Sequence, residues 1–192
     1  NAYSEMGYDG YVPPSIFEIA GAREVAVEFH SLSKTYNMTG WRQGWAVGNP
    51  TFIGALAKVK SFIDTGSFMA IQAAGVAALE SWAEFVPGNV AVFRERRDAA
   101  VAAFRDAGFA CEVPKASMYL WVPLPDGVPS RPFADRLMDE EGVITLAGSS
   151  FGAGGEGFFR ISFIQPPERI AEAARRAGRV LARMQAESLA AV

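Results

Sequence analysis

The sequence predicts an α/β chain organised in two parts. Two observations carry this. Short apolar segments with strand character are interleaved with longer segments of helical period, and the texture shifts from long helices to short strands after about residue 109. The boundary is expected near residue 92, giving parts 1–92 and 93–192.

Residues 1–22 are rich in turn formers (Gly7, Asp9-Gly10, Pro13-Pro14, Gly21) and read as loop, with a helical turn near Ser15–Ile19. Arg23–Phe29 alternates, with Val25, Val27 and Phe29 on one side, and predicts a strand. Ser31–Pro50 reads as loop around a short apolar run, Gly44–Gly48, that suits a buried strand. Pro50 then stands where a first-turn proline is tolerated, and Phe52, Leu56, Val59 and Phe62 recur at helical spacing. A second helix is expected over Phe68–Trp82, and a third from a cap at Asn89 to about Ala107, stopped by Gly108. The charges Arg94, Glu95, Arg96, Arg97 and Asp98 give that third helix a solvated face. Beyond it, strands are predicted at Ala110–Val113, Met118–Val122, Val143–Leu146 and Phe158–Ile164, with a helix over Pro132–Glu141. Pro167–Gln185 closes the chain as an amphipathic helix, Ile170, Ala174, Ala177, Leu181 and Met184 forming its apolar stripe.

Composition excludes several classes. The 18 Lys+Arg against 21 Asp+Glu leave no basic excess for a phosphate backbone, so no nucleic-acid partner is expected. The single cysteine, Cys111, precludes an internal disulfide and suits a reducing, cytoplasmic setting. One Cys and one His make a structural zinc site implausible, and no metal is expected. No apolar run approaches the roughly 20 residues that span a bilayer, so no membrane partner is expected. The first residues lack the form of a signal peptide, and the chain does not begin with Met. Either processing or membership of a longer polypeptide is expected.

Chemistry concentrates in Ser31-Leu32-Ser33-Lys34-Thr35-Tyr36-Asn37-Met38-Thr39-Gly40-Trp41-Arg42. A lysine follows a predicted strand among small hydroxyl residues, and an arginine comes eight positions later. Hydroxyl donors and a guanidinium fork suit a phosphate monoester. A lysine beside an anchored phosphate could form a Schiff base with an aldehyde cofactor. Spacing alone leaves the alternative open, with Lys34 a solvated loop lysine and Arg42 a structural ion-pair partner.

The stretch Ser31–Asn49 resembles the cofactor-lysine segment of class I/II aminotransferases, the fold-type-I enzymes that use pyridoxal 5′-phosphate. Three further pieces resemble the family in order. Asn1-Ala2-Tyr3 is similar to the end of its Asp-x-Ala-Tyr segment. Ala147-Gly148-Ser149-Ser150-Phe151-Gly152 is similar to a loop in which many relatives have Pro at the position of Ala147. Gly155-Glu156-Gly157-Phe158-Phe159-Arg160-Ile161-Ser162 is similar to the strand carrying the carboxylate-binding arginine. The texture of Glu28–Arg42 and Phe158–Ser162 further resembles the LL-diaminopimelate aminotransferase subgroup, which acts in lysine biosynthesis.

The resemblance implies roles. Lys34 would anchor the cofactor and, once displaced by substrate, carry the Cα proton. Arg42, with Ser31 and Ser33, would bind the cofactor phosphate, and Tyr3 would donate to the ring O3′. Arg160 would clamp the substrate α-carboxylate; the alternative is an ion pair borne by a strand that is otherwise apolar. His30, Cys111, Trp41 and Trp45 are read as structural, while Tyr8 and Tyr11 stay unplaced. The resemblance also implies amino-acid and 2-oxo-acid substrates such as 2-oxoglutarate, and a homodimer with shared active sites.

Family members run to about twice this length, and the aspartate that binds the pyridine nitrogen should immediately precede Asn1. The chain is therefore expected to be a C-terminal half: the rear of a large, mainly parallel α/β/α domain plus a small α+β domain. A missing N-terminal half, or a second chain supplying it, should cover an unfinished parallel sheet and its apolar face. By itself the fragment is expected to be inactive. Two other functions stay open: a lyase or decarboxylase on the same scaffold, and a non-catalytic effector domain or truncated product.

Overall fold

The computed structural model describes residues 1–190. Two compact units divide it. One comprises Asn1–Ala91 with Lys115–Ser117, and the other Val92–Pro114 with the chain from Met118 onward.

The first unit opens with an irregular segment in which Ser15 caps a 3-10 turn, Ile16–Glu18, through a capping box. The strand expected over Arg23–Phe29 begins later than its alternation suggests. Gly21, in the left-handed region at φ +81°, starts a one-turn helix α1 (Ala22–Val25), and strand β1 covers Val27–Ser31. Its faces are also the reverse of the apolar-inside pattern. Glu28 is 9% exposed, whereas Phe29 is 57% exposed. Glu28 tolerates burial because Ser15 Oγ (2.9 Å), the Ile16 N–H (2.9 Å) and His30 Nε2 (2.7 Å) surround its carboxylate.

After the one-turn helix α2 (Leu32–Thr35) and a 3-10 turn at Thr39–Trp41, strand β2 (Gly44–Gly48) returns beside β1 where the sequence expects a strand, but it is exposed at Trp45 and Val47 rather than buried. A mainly parallel sheet is expected of the complete large domain, and the two strands present here pair in the opposite sense. They run antiparallel, Val27 opposite Gly48 and Ser31 opposite Gly44. The Asn49 N–H to Ala26 O and Leu32 N–H to Gln43 O bonds extend the ladder at both ends. Residues 26, 28, 30 and 32 therefore turn their main-chain groups toward β2, and Val27, Phe29 and Ser31 turn theirs away. On that outer edge the Asn1 nitrogen donates to Phe29 O.

Helix α3 (Pro50–Ile63) starts as its sequence predicts, with Pro50 in the first position and Asn49 Oδ1 accepting from the Thr51 and Phe52 N–H groups at 2.8 and 3.3 Å. None of its side chains is buried, and Phe62 is 85% exposed. Helix α3 therefore carries uncovered apolar side chains. Helix α4 (Met69–Glu80) packs Ala74 and Ala78 on a small core of Leu32, Tyr36, Met38 and Val86. Gly75 on α4 makes room for the Gln43 side-chain amide, which a Cβ there, 2.3 Å away, would displace.

Helix α5 (Trp82–Asp106) begins seven residues before the expected cap at Asn89 and contains Pro87. The Phe85 N–H closes on Ser81 O at 2.9 Å and Val86 is buried, and the helix runs on through Pro87 although that residue has no N–H to donate. Gly108 follows the helix in a left-handed conformation, as expected. The solvated face foreseen on α5 fails at Arg97, which is 4% exposed and bonded to Asp98 and to Pro114 O.

The second unit holds a three-stranded antiparallel sheet, order β3 (Tyr119–Pro123), β5 (Phe158–Ser162), β4 (Leu146–Ala147). Leu120, Val122, Phe159 and Ala147 point to a core that also contains Phe104, Phe109 and Phe133. Helix α6 (Ser130–Glu141) and helix α7 (Pro167–Ala190) complete it, the latter burying Ile170, Ala174, Ala177, Val180 and Leu181. The strand expected at Ala110–Val113 is absent among the described residues, because Arg105 Nε and Nη2 take the Cys111 carbonyl at 3.0 and 2.9 Å. The strand expected from Val143 shrinks to two residues. Gly142, at φ +66°, ends α6 and commits the Val143 N–H to Leu137 O.

Candidate active site

In the first unit, β1 delivers the chain directly into the lysine turn. Ser31 ends the strand and caps α2, its Oγ accepting from the Ser33 N–H at 3.1 Å. Lys34 sits half-buried in that turn, and among the described residues its Nζ takes no hydrogen-bond or ion-pair partner. Thr39 Oγ1 donates to Ser33 O at 2.8 Å, and Arg42 Nη1 donates to Thr39 O at 2.7 Å. Thr39 thus links the arginine to the serine. Arg42 adopts φ +55°, a left-handed conformation that few non-glycine residues hold without a reason. Asn37 is likewise left-handed at φ +56°, and its Nδ2 donates to Asn89 Oδ1 at 3.0 Å; Asn89 Nδ2 donates to Thr35 O at 3.0 Å.

Beneath the turn, His30 stacks on Trp45 with ring centroids 5.2 Å apart and its Nε2 engages Glu28. The histidine is held structurally, in line with the sequence reading. Burial would push the Glu28 carboxyl up, but the Ile16 N–H, the Ser15 hydroxyl and His30 together hold it below the usual carboxylate range. Tyr3 is half-buried in the opening turn, where its carbonyl accepts from the Met6 N–H at 2.9 Å.

In the second unit, Arg160 occupies the centre of β5, opposite Trp121 of β3 and Leu146 of β4. It projects from the sheet face away from the core. Its guanidinium carbon lies 4.1 Å from the Tyr119 ring centroid and 4.5 Å from that of Phe151. Among the described residues it forms no hydrogen bond and no ion pair. The loop bearing Phe151 is held tightly. Gly148 and Gly155 touch backbone to backbone, a Cβ on Gly148 falling 2.0 Å from Gly155 O. Ser130 donates from its N–H and Oγ to Glu156 at 2.7 and 2.8 Å, which keeps that carboxyl below its usual range, and Ser130 Oγ bonds Ser149 Oγ at 2.9 Å.

The donor set suits pyridoxal phosphate. One turn gathers an unpartnered amine, two hydroxyls and a guanidinium with spare N–H groups, and no carboxylate bonds any of them among the described residues. The residues that sequence reasoning missed act from outside the motif. Asn89, read as a helix cap, instead pins the lysine turn, and Tyr119 and Phe151 carry no local signal that they meet Arg160.

The model of the family "Aminotransferase class I and II" matches residues 1–176. The chain is 47% identical over 175 residues to an LL-diaminopimelate aminotransferase of Desulforudis audaxviator, covering 91% of this chain and 45% of that protein. A Moorella thermoacetica protein of the same name is 47% identical over 184 residues, 96% of this chain and 47% of its own length. Among solved structures, a probable N-succinyldiaminopimelate aminotransferase from Thermus thermophilus aligns with a TM-score of 0.87 at 39% identity, over 94% of this chain and 48% of that one. An aromatic aminotransferase from Pyrococcus horikoshii aligns at 0.88 and 30% identity, over 96% and 50%. The chain belongs to the class I and II aminotransferases, a pyridoxal-phosphate-dependent family of fold type I. It spans about half the length of the relatives it matches.

Proposed function

We propose that this chain is the C-terminal part of a cytoplasmic aminotransferase that moves an amino group between an amino acid and a 2-oxo acid. LL-diaminopimelate as amino donor is supported by the names of its relatives, and 2-oxoglutarate as acceptor by the family resemblance of its motifs. Residues 1–92 would belong to the large cofactor-binding domain and 93–192 to the small one. The complete enzyme would be a homodimer in which upstream residues complete the cofactor site. The observation that carries the proposal is the amine of Lys34, unpartnered among the described residues, on a turn that also holds Ser31, Ser33 and Arg42.

Bound pyridoxal phosphate supplies an electrophilic aldehyde carbon and a ring able to accept the electron pair left at the substrate Cα. The chain's own groups do the rest. Lys34 Nζ holds the cofactor covalently and, when freed, removes the proton from the substrate Cα. Arg42 offers a planar fork to the phosphate, and Ser31 and Ser33 offer hydroxyls that orient it. Tyr3 donates its phenol to the ring oxygen. Arg160 orients the substrate through its α-carboxylate.

Borohydride reduction of the complete protein, followed by peptide mapping, should leave a pyridoxyl group on Lys34. An adduct on a different amine in fully loaded protein would refute the assignment. A half-reaction with LL-diaminopimelate, alanine, aspartate and aromatic amino acids then identifies the donor. Release of the matching 2-oxo acid separates transamination from a lyase or decarboxylase on the same scaffold.

A further inference from the structure

We propose that Tyr119 and Phe151 are positioning residues for Arg160: their rings stabilise its charge through the guanidinium face and leave its in-plane N–H groups for a carboxylate. This deepens the reading of Arg160 given above and rests on it.

Arg160 stands mid-strand on a sheet face with Trp121 opposite and Phe158 two residues before it. A cation in such apolar surroundings ordinarily takes a protein carboxylate. A carboxylate partner would occupy the same N–H groups that a carboxylate ligand needs, and would compete with it. The structure instead brings two aromatic rings to the guanidinium, at 4.1 and 4.5 Å. A ring face attracts a cation electrostatically without consuming a hydrogen-bond donor.

Both rings are themselves held. Tyr119 lies on β3, diagonal to Arg160 across the ladder, so the sheet fixes its distance. Phe151 is 51% exposed, yet its backbone is set by the Gly148–Gly155 contact and its ring meets Trp121 edge-on at 5.6 Å. Trp121 in turn stacks on Phe158 at 5.5 Å with planes 22° apart. A phenylalanine this exposed contributes little to a core, and its ring meets Arg160 and Trp121 at the sheet surface.

The experiment uses the complete polypeptide loaded with pyridoxal phosphate, and reads KM for L-glutamate, kcat and melting temperature in F151L, F151Y, Y119L, Y119F and R160K. Loss of one ring face should raise KM by about 3- to 30-fold in F151L and Y119L, with kcat and melting temperature nearly unchanged. F151Y and Y119F, which keep a ring, should behave as wild type. If F151L and Y119L bind L-glutamate normally while R160K does not, the positioning role is wrong and the carboxylate role of Arg160 stands. If R160K also binds normally, the carboxylate role itself is wrong. Equal losses of melting temperature and kcat in F151L and Y119L, unrelieved in F151Y and Y119F, would reduce both rings to structural parts and overturn the proposal.

Discussion

Asn89 and Asn37 meet side chain to side chain at 3.0 Å, far apart in sequence. The other end of the Asn89 amide holds the carbonyl of Thr35, the residue after Lys34. Helix α5 thus holds, through Asn89, the turn that carries the lysine. Asn89→Ala removes two hydrogen bonds, each worth about 0.5–1.5 kcal/mol net. We expect the complete protein to lose about 1–3 kcal/mol in urea unfolding and to bind pyridoxal phosphate more weakly. Unchanged cofactor affinity would show that the turn holds its shape unaided.

Lys34→Ala should abolish the borohydride adduct and lower turnover by at least about 100-fold, the scale of a lost proton-transfer group. Folding should survive, because Lys34 makes no contact that the turn depends on among the described residues. Circular dichroism of the variant checks that point.

Arg42→Lys keeps the charge and loses the fork. A charge-assisted hydrogen bond contributes about 1.5–3 kcal/mol, so pyridoxal phosphate affinity should drop by about 10- to 100-fold while the rate at saturating cofactor changes less. Lysine at this position must also hold the left-handed backbone without the bond to Thr39 O. Equilibrium cofactor titration measures the effect.

Gly148→Ala places a methyl carbon 2.0 Å from Gly155 O, and backbone on both sides cannot yield cheaply. A loss of about 1–3 kcal/mol is expected from overpacking, together with a raised KM for L-glutamate as Phe151 shifts. Thermal unfolding and steady-state kinetics on the same sample test both halves.

Acid should loosen α6 from α7. Glu141 accepts from Arg179 and Arg183, at 2.6 and 2.8 Å, and these partners pull its carboxyl down to about 2. Because the folded value lies below the unfolded one, these bonds contribute fully above pH ~4.5. Their contribution is lost as pH falls from there toward 2. In Glu141→Gln the stability curve should be flatter across that window, as read by urea midpoints at successive pH values.

Much of the layout is legible in the sequence because local signals agree there. Pro50 after Asn49 starts α3, Gly108 follows α5, and the apolar run Gly44–Gly48 forms β2. The lysine turn is legible because its motif is contiguous. What could not be read depends on partners distant in sequence. Glu28 looks solvent-facing until Ser15 and Ile16 arrive at its carboxylate. Ala110–Val113 has strand composition, yet Arg105 claims its carbonyl first. Arg97 reads as one more surface charge, and only the fold reveals that it is enclosed. The rings on Arg160 are invisible for the same reason, since a ladder register and a glycine contact place them.

The outward-turned amides and carbonyls of Val27, Phe29 and Ser31, with the Phe29 carbonyl already taken by the Asn1 nitrogen, bear on how this polypeptide should be handled. Produced from Asn1 onward, it offers neighbouring molecules a ready template for strand addition, beside a bare phenylalanine. Inclusion bodies would be the natural outcome. Co-expression with a partner fragment bearing the complementary strand should rescue solubility, and would turn this seam into a workable cut point for a split enzyme.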